Sequence, residues 1–117
     1  MLSLPLHAQV YLCTAAIDLR KSFDGLSGLV ESVFQSNVLE GHLFLFVNKR
    51  RDRLKALWWD RDGLIIWYKR LEAGCFEIPS AQEGAASVTL DATELAMLLG
   101  GVSLSSVKRR KRYNVAC

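Results

Sequence analysis

Residues His42 to Leu71 read HLFLFVNKRRDRLKALWWDRDGLIIWYKRL, three apolar runs divided by two charged breaks. The runs are rich in β-branched and aromatic residues, and the breaks carry the Asn, Asp and Gly that make turns. This stretch constrains the fold more than any other, because it specifies a three-stranded antiparallel meander. Leu43 to Val47 is apolar at every position, as in a central strand covered on both faces. Arg53 to Trp59 alternates: Leu54, Ala56 and Trp58 share one face, and Arg53, Lys55, Leu57 and Trp59 the other. Asp62-Gly63 suits a type I′ turn. That turn pairs Trp58 with Trp67, Trp59 with Ile66, Leu57 with Tyr68 and Lys55 with Arg70.

The flanks add two helices and shorter strands. Gln9 to Thr14 is β-prone, and Ala15 to Lys21 reads as a loop. Ser22 is placed to cap a helix through its hydroxyl. Phe23, Leu26, Leu29, Val30, Val33 and Phe34 then follow helical spacing. Gly25 and Gly28 weaken that helix and are expected where it packs closely on the sheet, or where a ligand nears the backbone. After the meander, Cys75 to Ile78 is expected as a short strand stopped by Pro79, and Ser87 to Leu90 as another. Asp91 and Glu94 have capping-box spacing, and Leu95, Leu98 and Leu99 follow on one helical face. The expected class is α+β: an antiparallel sheet of about five to six strands built on the meander, one helix packed on it and a short C-terminal helix. Residues 1–102 make one domain, and residues 103–117 a basic, flexible tail.

Charge distribution narrows the function. The formal net charge is only +3, but residues 49–70 set eight cations against three carboxylates, and Lys108 to Arg112 (KRRKR) are all cationic. Elsewhere only Arg20 and Lys21 oppose nine carboxylates. Positive charge gathered in two places is the pattern of a polyanion binder. The candidate nucleic-acid contacts are Arg50, Arg51, Arg53, Lys55, Lys69 and Arg70, with Lys108, Arg109, Arg110, Lys111 and Arg112 in the tail. Cys13, Cys75 and Cys117 are odd in number and far apart, which argues against a zinc site or a disulfide framework. A reducing cytosol is the expected compartment. The N-terminus lacks the pattern of a signal peptide, and no apolar run reaches the length of a membrane span.

Two segments resemble a known family: DLRKSFDGL (Asp18 to Leu26), and the His42–Leu71 stretch continued by EAG and FEIP. In order and spacing they are similar to the second-open-reading-frame protein of insertion sequence 66 transposons, often called TnpB. The shared positions are Asp18, Arg20, Lys21, Phe23, Asp24 and Gly25, then Arg53, Lys55, Trp58, Trp59, Asp60, Asp62 and Gly63, then Lys69, Arg70 and Leu71. The KRRKR tail is outside the shared pattern. The resemblance implies a non-catalytic accessory protein of transposition encoded beside a separate transposase, its expected partner, and the basic clusters make DNA the other expected partner. It implies no catalytic residue, metal or cofactor.

Three functional readings follow. In the first, the basic hairpin and tail contact DNA phosphates while an aromatic residue stacks on bases. In the second, an exposed tryptophan among Trp58, Trp59 and Trp67 docks the protein on its transposase without DNA contact. In the third, Asp18, Asp24, Asp60 and Asp62 converge to hold metal for nuclease chemistry. The blander account of these carboxylates is stronger, as turn formers and helix-start residues. His7 and His42 are expected to be structural.

Overall fold

The computed structural model of the protein describes residues 7–79 and 84–100. It is an α+β fold with five strands, β1 (Val10–Cys13), β2 (Leu43–Val47), β3 (Arg53–Asp60), β4 (Gly63–Arg70) and β5 (Ser87–Leu90), and two helices, α1 (Phe23–Phe34) and α2 (Ala92–Gly100). The sheet order is β4-β3-β2-β1-β5. A single 3₁₀ turn, Val38–Glu40, leads from α1 into β2.

β2 lies at the centre of the sheet, and all five of its residues are buried. Its alternate side chains enter two separate cores. Leu43, Leu45 and Val47 join Val10, Leu12, Leu54, Ala56, Trp58 and Leu90 beneath Leu98 of α2. Phe44 and Phe46 join Cys13, Leu57, Leu26 and Val30 beneath α1. Full burial of each such side chain contributes roughly 1.5–3 kcal/mol. The run LFLFV is apolar throughout because helices cover the sheet on both sides.

The sheet is mixed, whereas an antiparallel one was expected. β1 runs parallel to β2, pairing Val10 with Leu43 and Leu12 with Leu45. A parallel neighbour needs a crossover, which α1 supplies. The β3–β4 register also departs from expectation by two residues. Trp58 pairs with Ile65, Trp59 with Leu64, Leu57 with Ile66, Lys55 with Tyr68 and Arg53 with Arg70. Asp60 pairs with Gly63, so the loop is Arg61-Asp62. Positive φ falls on Arg61 (56°) and not on Asp62 or Gly63, unlike the I′ turn, which needs it at both central residues. A slip of two preserves which face every side chain occupies, so alternation alone could not choose between the registers.

Three local expectations are corrected. Cys75 to Ile78 forms no strand. The Leu71 amide donates to the Asp52 carbonyl (2.7 Å) and the Phe76 amide to the Arg51 carbonyl (2.7 Å), so this segment is pinned to the β2–β3 turn. Ser22 occupies the N-cap position of α1, but its side chain makes no capping bond. Gly25 and Gly28 are exposed and do not pack on the sheet. At Gly25 an added Cβ would come within 3.1 Å of the Lys21 side chain; at Gly28 it would meet nothing. The α2 capping box forms as expected: the Glu94 amide donates to Asp91 Oδ1 at 2.7 Å, and the Asp91 amide to Glu94 Oε1 at 3.1 Å. Cys13 is a free, buried thiol whose pKa is raised by that burial. Among the described residues no helix is long and apolar enough to cross a membrane.

Candidate nucleic-acid interface

Because β1 and β2 are parallel, the loop leaving β1 and the turn leaving β2 emerge at the same end of the sheet. The Ile17 amide donates to the Val47 carbonyl (2.9 Å) and ties the two together. Between them lies a groove of about 680 Å³, lined by residues 16–20, by Asn48, Lys49, Arg50 and Arg53, and by Lys55 and Tyr68. Five cations (Arg20, Lys49, Arg50, Arg53 and Lys55) and one carboxylate (Asp18) surround it. Segments 30 residues apart in the sequence thus form one basic concavity.

Each wall is held by local hydrogen bonds. Asn48 organises the turn: its Oδ1 accepts from the amides of Asp52 (3.1 Å) and Arg53 (3.0 Å), and its Nδ2 donates to Asp52 Oδ1 (2.7 Å). Such side-chain bonds to nearby amides let Asn shape a turn that strong helix or strand formers cannot. Arg51 takes a left-handed conformation there (φ 59°). On the opposite wall, Asp18 grips Arg20 through the backbone amide (3.0 Å), Nε (3.0 Å) and Nη2 (2.7 Å). The hydrogen bonds from Arg20 hold the Asp18 carboxyl well below its usual range, at about 2. The pair is solvent-exposed, so it shapes the loop more than it stabilises the fold.

Lys55 and Tyr68 lie opposite one another on neighbouring strands. Lys55 Nζ donates to the Lys21 carbonyl (2.9 Å), strapping the loop to the sheet, and sits 5.0 Å from the centre of the Tyr68 ring. Arg53 Nη1 donates to the Tyr68 hydroxyl at 3.4 Å. Tyr68 nevertheless remains 48% exposed.

The structure separates the other expected contacts. Arg70 shares the Arg53–Lys55 side of the sheet, but its Nε and Nη2 donate to Glu72 Oε1 (3.1 and 2.9 Å). Lys69 points to the opposite face, where its Nζ donates to the Leu99 carbonyl at the end of α2 (3.1 Å). A cation there satisfies an orphan carbonyl and complements the helix dipole. Arg51 lies beside a smaller depression with Thr14, Lys49 and Ile78. Lys108, Arg109, Arg110, Lys111 and Arg112, with the whole expected tail, lie outside the described residues. Sequence reasoning placed Lys49 in the charge cluster and Arg20 in the shared motif without assigning either to a site, and it missed the bracing role of Asn48. The Asn48…Asp52 spacing around KRR was the available signal for that turn.

The tryptophans divide as alternation requires. Trp58 is buried, Trp59 half-buried, and Trp67 is 37% exposed on the α2 side of β4. His42 is structural, its Nδ1 accepting the Gln9 amide (2.9 Å). Among the described residues, no three His, Cys, Asp or Glu side chains gather where they could hold a metal ion. Asp18 is committed to Arg20, while Asp60 and Asp62 lie at the β3–β4 turn, at the other end of the sheet. Among the described residues, the four carboxylates of the third reading therefore do not gather at one site.

Comparison with known proteins places these features in a family. The chain is 33% identical over 102 residues to the uncharacterized protein y4jC of Sinorhizobium fredii, covering 87% of this chain and 86% of that protein. It is 34% identical over 96 residues to the uncharacterized protein y4hO of the same organism, covering 82% of each. No solved structure matches it. The family described as IS66 Orf2 like protein matches residues 8–109, which include both walls of the groove and all of β1–β5. The chain therefore belongs to the IS66 Orf2-like family of transposition-associated accessory proteins.

Proposed function

We propose that the protein assists a separate transposase by binding DNA through the basic groove. The observation that carries this reading is the convergence of Arg20, Lys49, Arg50, Arg53 and Lys55 around one concavity. No ion pair engages Lys49, Arg53 or Lys55 among the described residues. Their charge is therefore available to phosphates, and each phosphate they neutralise releases condensed counterions. The Arg20–Asp18 pair can open toward a phosphate because it is solvent-exposed on both sides. Arg51 flanks the groove at the same end of the sheet, where it extends the positive field without lining the cleft, while the charge of Arg70 is offset by Glu72. Residues 108–112 add further charge.

The transposase contact is assigned to Trp67. This residue faces away from the groove, so a protein held there leaves the groove open to DNA. An adaptor role without DNA contact is the competing reading, and the same aromatic exposure favours it. Fluorescence anisotropy of labelled DNA at rising salt separates the two. Binding should weaken linearly in log–log form, with a slope of about −0.7 to −0.9 per phosphate contacted. No affinity even in dilute salt would leave only the adaptor. Capture of the co-encoded transposase by wild type but not by Trp67→Ala would support the docking surface.

A further inference from the structure

We infer that the groove takes a single unpaired DNA strand in preference to a duplex. This rests on the DNA-binding reading above and specifies the form of DNA. Three observations carry it.

The hairpin is not a free arm. A two-stranded ribbon can enter the roughly 12 Å major groove of B-DNA. Here β3 is flanked by β2 as well as β4, and α1 packs against both strands of the hairpin on the Arg53–Lys55 face. The cations sit in a recess beyond the end of that helix, where the ribbon cannot be inserted between base pairs.

The recess is concave and braced. Its walls are the Asp18–Arg20 loop and the Asn48–Arg53 turn, and Lys55 ties the first wall to the sheet through the Lys21 carbonyl. Its volume of about 680 Å³ falls among clefts that accept nucleotide-sized ligands, roughly 300–1,000 Å³. A single strand passing between the walls would bring its phosphates to cations on both.

The third observation is an aromatic side chain among the cations. Tyr68 is half-exposed in the groove, with Lys55 Nζ over one face of its ring, Arg53 at its hydroxyl, and the opposite face left for a base. A basic groove with an aromatic platform is how proteins hold unpaired strands without sequence preference. The bases of an intact duplex are stacked on each other and cannot use such a platform.

The test measures the affinity of the full-length protein for a 12-nucleotide labelled strand and for the duplex of the same sequence, in the same buffer. Residues 108–112 are common to every variant, so the change in the strand-to-duplex affinity ratio on substituting Tyr68 reports the groove. The strand should bind at least about tenfold more tightly, and Tyr68→Ala should remove most of that preference, since one stacked base is worth roughly tenfold in affinity. Tyr68→Phe, which keeps the ring, should retain it within about twofold, and circular dichroism of each variant checks the fold. Equal or tighter duplex binding would overturn the inference and leave the DNA reading standing. A strand preference unchanged in Tyr68→Ala with an intact fold would also overturn it. Failure of both DNA forms to bind would instead remove the reading on which it rests.

Discussion

The two charged breaks of the long apolar stretch look alike in sequence and have different fates. Asn48–Asp52 and Asp60–Gly63 each join two strands of one meander, and both carry arginines beside turn-forming aspartates. The first lies at the end of the sheet where β1 also terminates. It has a braced interior, with Asn48 bonded to Asp52 and to the amides of residues 52 and 53, and it faces the Asp18–Arg20 loop. The second lies at the opposite end, joins β3 to β4 through two residues, and has only Arg61 in the left-handed region. Turn chemistry alone makes a hairpin; a second loop alongside makes a groove.

That contrast can be broken by substitution. The largest effect is expected from Lys49→Ala combined with Arg53→Ala. Removing two phosphate contacts should lower DNA affinity at least about tenfold and flatten the salt slope by roughly 1.4 to 1.8. Arg61→Ala at the other turn should change affinity less than about twofold. Equal losses from the two ends, read by anisotropy, would show that charge is sensed without regard to the groove.

Next comes Asn48→Ala. It strands the partly buried Asp52 amide and should cost about 1–3 kcal/mol in urea unfolding. Arg61→Gly should be neutral or slightly stabilising, because glycine adopts positive φ without strain. If Asn48→Ala were as mild as Arg61→Gly, the first turn would not depend on its side-chain network.

Lys69→Met should cost less, about 0.3–1 kcal/mol, by removing the cation at the end of α2. DNA affinity should stay within about twofold, since Lys69 lies on the face away from the groove. A large loss of affinity would move the binding surface to that face.

The smallest effect is the titration of Asp18. Its carboxyl should titrate at about 2 by NMR, and Arg20→Ala should return it toward the ordinary 3.8. The folded-state value is the depressed one. The pair's contribution is therefore complete above the unfolded value and is lost as pH falls through about 2. Stability near neutral pH should not respond to it. An Asp18 titration near 3.8 in the wild type would mean that the two side chains do not hold one another in solution.

Much of this was legible in the residues. The uninterrupted LFLFV run announced a strand buried on both faces, because no polar side chain could be accommodated on either. Asp91 and Glu94 announced the start of α2, since a capping box is satisfied by atoms three residues apart. Alternation assigned Trp58 and Trp59 to opposite faces. Ser22 was misleading because its type and position suit a cap while its hydroxyl forms no such bond.

Local periodicity therefore determined the five observed strands, the helix positions and the burial of the centre, while the resemblance of two motifs pointed to the family. Tertiary structure decided the remainder. It set the hairpin register, because a shift of two leaves every side chain on its own face and only the loop distinguishes the alternatives. It turned Lys69 toward the last carbonyls of α2, a partner 30 residues away. It also made the groove: the α1 crossover lays β1 parallel to β2, so loops distant along the chain leave the sheet at one end. No spacing rule encodes that meeting, because it follows from which strands become neighbours rather than from any one strand's own pattern.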